Sequence, residues 1–341
     1  MSNKITGATA LINLDYDLMH QAGIHWLRHG CNGFPLKADL STPTESVKRS
    51  KALAEEYCQA GFSLMGSTPG PGSYRYSEEK QATVWSNGVP EVFGSWEEDR
   101  YYEAVETACE YLARDWGELV TYWQIANEPD IETFHGDMSR QQVLRFLVAS
   151  ARGLKKGNPK AKPGINLAFQ NDFSAWLLPA LYGEYPELFD YLGLDGYLGS
   201  WQEGGPEDWQ GYIDWAYRLA GKPIIINEWG YSTLQQGPNP DPQGLRRYNQ
   251  DVCRTKTWEY QWDGPHSEEK QAEYILKGME LFAKDDRVIG EFFFRWSDTE
   301  TCWQCGDPLC PAECAWGIVD PKGNPKPGYY ALKQAYETWY R

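Results

Sequence analysis

Residues 122–130 read YWQIANEPD and residues 223–230 read PIIINEWG. In each, an apolar run leads into Asn-Glu, and a strand-ending residue follows, Pro129 in the first and Gly230 in the second. Proline has no N–H for a sheet ladder and glycine weakens a strand, so both runs read as buried strands with Glu128 and Glu228 held just past their ends. A lone Glu after a strand is by default a solvated loop residue. Two in matched contexts, a hundred residues apart, make that default much weaker.

Working outward, short β-rich apolar runs bounded by Gly, Pro or Asn recur at 5–8, 24–29, 62–67, 120–126, 165–169, 191–197, 223–227 and 288–296. Buried parallel strands have this character. Amphipathic stretches lie between them at 12–21, 45–60, 96–114, 139–156, 173–181, 207–220, 268–283 and 329–340. The 139–156 stretch opens on Ser139 and Gln142 spaced as a capping box. It then places Val143, Leu144, Leu147, Val148, Ala151 and Leu154 at helical spacing before Gly157 and Pro159 end it. Eight strands, each followed by a helix through a right-handed crossover, bring the last strand beside the first. The prediction is a single (β/α)₈ TIM barrel spanning residues 1–341, with long βα loops. The length of 341 residues accommodates one such barrel, and no linker, repeat or low-complexity tract divides it.

Three connections are long: 68–95, 231–267 and 297–327. Each follows a strand, which in a barrel puts it at the C-terminal face where active sites sit. Their Gly, Pro and aromatic content fits cleft walls or surface decoration. Trp85, Trp201, Trp258 and Trp262 fall in connections that follow strands and favour an open groove for internal cleavage of a chain.

Thirty-two basic against forty-eight acidic residues give a net charge of −16, which repels a phosphate backbone and argues against nucleic acid as a partner. No apolar run approaches the roughly 18 residues of a membrane span, so no membrane partner is expected. The first residues lack a signal peptide's apolar stretch, which favours a cytoplasmic location unless a leader has been trimmed. Sixteen Trp and twenty-two Tyr supply flat faces that either stack on sugar rings or fill a large core.

Two carboxyl groups across one cleft are what glycoside hydrolysis requires, one protonated to release the leaving oxygen and one ionised to attack or to activate water. Here the sequence resembles the glycoside hydrolases of clan A, nearest to families 39 and 5. The likeness is carried by NEP at Asn127, Glu128 and Pro129, by EWG at Glu228, Trp229 and Gly230, and by Arg28 in GIHWLRHG, over nearly the full chain. The resemblance implies a retaining β-glycoside hydrolase with Glu128 as acid/base and Glu228 as nucleophile, acting on a β-linked carbohydrate of xylan, mannan, glucan or galactoside type. It further implies that Asn127 binds the sugar 2-hydroxyl, Arg28 keeps the nucleophile ionised, Tyr197 hydrogen-bonds it, and Trp296 forms an aromatic floor or, alternatively, is core. Two positions depart from the pattern. Asp195 stands where related enzymes often have His and reads as a third cleft carboxylate, binding substrate or repelling a partner's charge. Ala126 stands where family 39 has Trp. The alternative is a catalytically silent carbohydrate-binding barrel.

Cys302, Cys305, Cys310 and Cys314 crowd into thirteen residues after the eighth strand, while Cys31, Cys58, Cys109 and Cys253 are scattered. The four together fit a closed structural zinc site, with two disulfides or free thiols as alternatives. No cofactor is expected for catalysis. The five histidines form no metal pattern, no nucleotide-binding motif is present, and Lys222 precedes the seventh strand, at the wrong face for a Schiff base.

Overall fold

A computed structural model of the chain describes residues 4–9, 12–31, 33–77, 79–80, 82–241 and 250–340. The chain enters through β1 (Ile5–Thr9), and α1 (Tyr16–Ala22) follows. Asp15 starts this helix later than the expected 12–21 because its carboxylate accepts the Leu18 N–H and so caps the first turn. Next come β2 (Trp26–Gly30), α2 (Glu45–Gln59), β3 (Ser63–Ser67) and an added hairpin of β4 (Gly72–Ser77) and β5 (Ala82–Asn87). The chain continues through α3 (Asp99–Trp116), β6 (Val120–Gln124), α4 (Glu132–His135), α5 (Arg140–Gly157), β7 (Lys162–Leu167), α6 (Asp172–Leu178) and β8 (Tyr191–Gly196). It finishes with α7 (Trp209–Ala220), β9 (Ile224–Trp229), α8 (Asp251–Thr255), α9 (Glu268–Lys284), β10 (Val288–Phe293) and α10 (Pro327–Trp339).

Among the described residues, eight parallel strands close into a barrel in the order β1-β10-β9-β8-β7-β6-β3-β2. This is the single TIM barrel that the alternating runs predicted. The expected capping box of α5 forms in full. The antiparallel β4–β5 pair, by contrast, grows out of the connection after β3, where no strand was expected.

Alternation along each strand sorts the side chains into two environments. Inside the barrel, Ile5, Met65, Tyr191, Ile225 and Phe292 pack as an apolar floor, with Trp26 and Tyr122 against them. Further along the strands the inward positions turn polar: Arg28 follows Trp26 by two residues, Gln124 follows Tyr122 by two, Asp195 follows Tyr191 by four, and Asn166 joins them from β7. The barrel is plugged below and hydrophilic above, so its polar side chains gather at the C-terminal mouth.

β9 breaks the alternation. Its pairing with β8 runs Ile226 to Leu194 and then Glu228 to Asp195, and its pairing with β10 shows a matching shift before Trp229. One extra residue sits in β9, a bulge that turns both Asn227 and Glu228 toward the interior and sends Trp229 outward. Glu228 therefore lies within the strand, one position before its end, where the expected strand stopped at 227. Gly193 makes room for this, since a Cβ there would come 2.8 Å from the Asn227 amide carbon.

Trp229 is the outward anchor of the bulge. Its ring is fully buried against Tyr274, Phe282 and Phe293, and its indole N–H donates to Glu291 Oε2 at 2.6 Å. Tyr336 of α10 donates its hydroxyl to the other oxygen of Glu291. Burial pushes the Glu291 carboxyl up to about 7, against the pull of the Tyr336 and Trp229 hydrogen bonds. Glu291→Met keeps the volume but strands the Trp229 indole N–H and leaves the Tyr336 hydroxyl only Gly7 O, at 3.4 Å. It should lower unfolding free energy by about 1 to 3 kcal/mol at neutral pH, since an unpaired buried donor costs roughly 1–3 kcal/mol. Urea denaturation followed by circular dichroism measures this, and an unchanged midpoint would show that Glu291 does not hold the Trp229 anchor.

Candidate active site

Arg28 reaches across the barrel mouth from β2 and pairs with Glu228 Oε1. Tyr197, just beyond β8, donates its hydroxyl to the other oxygen of Glu228. Glu228 is thus held at both oxygens while remaining 7% exposed. Burial works against the charge on Arg28, but the carboxylates of Glu228 and Asp195 outweigh it and hold its pKa up. The Tyr197 phenol is pushed well above its ordinary range by burial and then by the charges of Glu228, Asp195 and Glu128.

Glu128 lies beyond the end of β6, half-buried, with its carboxylate accepting from Asn127 Nδ2 at 3.2 Å. Two residues in this turn have left-handed backbone without being glycine, Ala126 at φ 58° and Glu128 at φ 40°. Such conformations cost of order 1–3 kcal/mol each and persist only where surroundings impose them. Here Thr68 Oγ1 accepts the Ala126 N–H at 3.1 Å and Asn166 Oδ1 accepts the Glu128 N–H at 3.0 Å. The strained turn lifts Glu128 out of the strand direction and over the polar layer.

That layer is one hydrogen-bonded network. Arg28 donates to Gln124 Oε1 at 3.2 Å, Asn227 Nδ2 donates to the same oxygen at 3.1 Å, and Gln124 Nε2 donates to Ala126 O at 2.7 Å and Asn127 Oδ1 at 3.3 Å. Asn166 Nδ2 donates to Asn127 Oδ1 at 3.3 Å and to Asp195 Oδ2 at 2.5 Å. Glu228 and Glu128 are thereby joined through Arg28, Gln124 and Asn127. Burial, then the charge of Glu228, then that of Asp130, raises the Glu128 pKa well above the usual carboxylate range, against opposing pulls from Arg28 and Asn127.

Arg28, Asn127, Tyr197, Glu128 and Glu228 are therefore brought together at one mouth. Asp195 joins them from beneath: it is fully buried, so it does not meet a substrate as a third cleft carboxylate. Its pKa is raised well above the usual range by burial and then by the charges of Glu228 and Glu128. Trp296 is a correction. β10 ends at Phe293, and the Trp296 ring is fully buried, its indole N–H donating to Asn13 O at 2.9 Å and its edge against Tyr329 of α10. It belongs to the core and offers no floor to a sugar. Phe294 and Trp316 pack instead on Tyr197, the phenol bonded to Glu228, at 5.6 and 4.9 Å.

Other expected positions sort by burial. Trp258 and Trp262 are packed away at 4% and 7% exposure, leaving Trp85 and Trp201 half-buried, so the groove-lining reading loses two of its four members. His29 turns toward the helix layer, bonding Ser50 O at 2.8 Å and stacking on Trp116. The thiols of Cys302, Cys305 and Cys310 come together, but Cys314 is a correction: its Sγ contacts Asp307 O at 3.8 Å, and Cys253 takes its place in the cluster. None of the eight cysteines is paired in a disulfide, the alternative to a zinc site.

Three residues of the network, Gln124, Asn166 and Asn227, were not anticipated, nor was Asp130, whose charge acts on Glu128. Gln124 and Asn166 each occupy an inward position of a strand, which strict alternation counted from Tyr122 and Gly164 would have marked. Asp130 accepts the N–H groups of Ala168 and Phe169 and the Ser174 hydroxyl. Burial outweighs those bonds and pushes its carboxyl up to about 6. A cavity of about 210 Å³ opens between the network and the hairpin, with Arg28, Gln124 and Asn127 on one side and Gly72, Ser73 and Arg75 on the other.

No protein-family model matches the sequence, and no curated protein matches it. Solved structures do match in fold. A glucosidase from Croceicoccus marinus superposes with a TM-score of 0.65 at 14% identity, over 99% of this chain and 68% of that one. The GH53 catalytic domain of Ignisphaera aggregans gives 0.63 at 19%, over 98% and 91%. A β-D-glucuronidase from Dictyoglomus thermophilum gives 0.60 at 17%, over 96% of this chain, which spans 48% of that larger protein. At these identities the likeness establishes the barrel.

The raised Glu128 pKa has a direct check. In a carboxyl-selective NMR titration, Glu128 should keep its proton well above the usual carboxylate range. Asp130→Asn removes one repelling charge and should move that midpoint to lower pH. An Asp130→Asn midpoint at or above the wild-type value would remove Asp130 from the account.

Proposed function

We propose that the chain is a retaining β-glycoside hydrolase, with Glu128 as the general acid/base and Glu228 as the nucleophile. The observation that carries this is the unequal treatment of two carboxylates at one barrel mouth. Glu228 is gripped by a guanidinium and a phenol, whereas Glu128 sits where burial and neighbouring negative charge favour its proton. Environments that separate a proton-holding carboxyl from a cation-paired one divide the acid and nucleophile roles. The clan A resemblance and the glycosidases among the structural neighbours support the same reading.

In the first step protonated Glu128 gives its proton to the glycosidic oxygen while Glu228 attacks the anomeric carbon. The bond to the leaving alcohol breaks and a glycosyl ester forms on Glu228. Water then enters, Glu128 takes its proton, and the resulting attack on the anomeric carbon frees the sugar and restores both carboxyls. Asn127 is placed to hold the 2-hydroxyl, and Tyr197 keeps the attacking oxygen of Glu228 oriented. Arg28 balances the charge on Glu228 before the first step and after the second, when its carboxylate is free.

The substrate is a β-linked glycoside of xylan, mannan, glucan or galactoside type. A β-uronide belongs in the same panel, because Arg75 brings a second guanidinium to the cavity and a glucuronidase shares the fold.

Glu228→Gln should abolish turnover without loss of the folded far-ultraviolet spectrum, and a 2-fluoro glycoside should label Glu228 in the wild type. Glu128→Ala should lose roughly a hundred- to ten-thousandfold on substrates with poor leaving groups. It should spare activated aryl glycosides and regain rate with azide, giving the β-glycosyl azide. Proton NMR of the first product should show retained β configuration. An inverted product would overturn the nucleophile role, and glycan binding without turnover across the panel would leave a silent binding barrel.

A further inference from the structure

Cys253, on α8 in the connection after β9, meets Cys302, Cys305 and Cys310 of the connection after β10. Their four sulfurs all lie within 4.8 Å of one another, and all four residues are buried. The sulfur of Cys253 is 3.9 Å from that of Cys302 and 4.0 Å from that of Cys310. A regular tetrahedron with zinc–sulfur bonds of about 2.3 Å has sulfur–sulfur edges of about 3.8 Å. Thiols packed for apolar contact have no reason to converge four at a time on a common centre, and a disulfide brings only two together.

We propose that Cys253, Cys302, Cys305 and Cys310 form a tetrathiolate site for a structural zinc ion that ties the two connections together. Four thiolates around a divalent ion leave excess negative charge, and the surroundings answer it. Lys256, nearly buried, places Nζ 3.2 Å from Cys305 Sγ and 2.6 Å from Asp307 Oδ2. Such outer contacts orient ligands and temper their charge. Cys314, the neighbour suggested by spacing alone, lies outside the set. The closed ligand set leaves no position for substrate, so the ion acts on structure alone.

What it would hold is specific. The four cysteines pack in one apolar cluster with Trp258 and Trp316, against Tyr197, Trp201 and Phe294. Trp316 is in edge contact with Tyr197, which bonds Glu228. The ion therefore stiffens the wall on which the Glu228 contact rests, and its presence does not depend on the reaction catalysed.

The test is metal analysis of the whole chain, purified without chelator, by mass spectrometry of the elements. The expected content is about one zinc per chain, as for a single closed site. Cys314→Ser should retain it, Cys253→Ser should lose it, and cobalt reconstitution of the wild type should give the visible bands of a tetrahedral tetrathiolate. Metal-free wild-type protein, a stoichiometric iron centre, or mapped disulfides among these cysteines would overturn the proposal. So would full zinc content in Cys253→Ser. The wild-type measurements decide the matter even where the serine variant fails to fold.

Discussion

A guanidinium and a carboxylate face each other inside the mouth of a barrel, and most of the remaining structure follows from keeping them there. Arg28 and Glu228 are both largely withdrawn from water. A buried charge with an incomplete set of partners costs several kcal/mol. The barrel answers with Gln124, Asn127, Asn166, Asn227 and Tyr197, each bonded to the pair or to another member of the set. The apolar floor beneath makes those bonds worth more than they would be in water, and it also makes any missing one more costly.

The network is held because Arg28, Gln124, Asn166, Asn227 and Glu228 sit on strands, with Asn127, Glu128 and Tyr197 just past strand ends, and because two backbone irregularities are locked from behind. The bulge in β9 is fastened by Trp229, whose indole sits in the α layer on Glu291. The left-handed turn at Ala126 and Glu128 is fastened by the side chains of Thr68 and Asn166. Both carboxylates are therefore aimed by local departures from regular geometry, and each departure is secured by a residue on a neighbouring strand or helix. Two acids of similar intrinsic strength acquire unlike environments in this way, which is the property the proposed chemistry uses.

The walls of the mouth are built differently. The hairpin of β4 and β5 closes one side, and the cysteine-bearing connections close the other around Tyr197, Phe294 and Trp316. Among the described residues, the cysteine-bearing connections carry only the short α8 as regular structure before α9 and α10 begin. The convergence of four thiols where two such connections meet is consistent with a need for a cross-link that the barrel itself does not supply.

The sequence alone determined the barrel, because strand and helix periods and the breakers between them are local properties of neighbouring residues. It also singled out Glu128 and Glu228, since each follows an apolar run closed by a strand breaker, Pro129 or Gly230, although β6 itself ends at Gln124 and Glu228 lies inside β9. Asn127, Arg28 and Tyr197 were legible only through the resemblance to clan A. Tertiary structure decided the rest. Gln124 and Asn166 matter because barrel closure turns them toward Arg28 and Asn127, and no local pattern states which inward residues meet. Trp296 went to the core because β10 ends at Phe293, and Asp195 went beneath the pair because strand alternation points it inward below the rim. Cys253 replaced Cys314 for the same reason: proximity along the chain is a weak guide once two loops, forty-nine residues apart at Cys253 and Cys302, are folded onto one face.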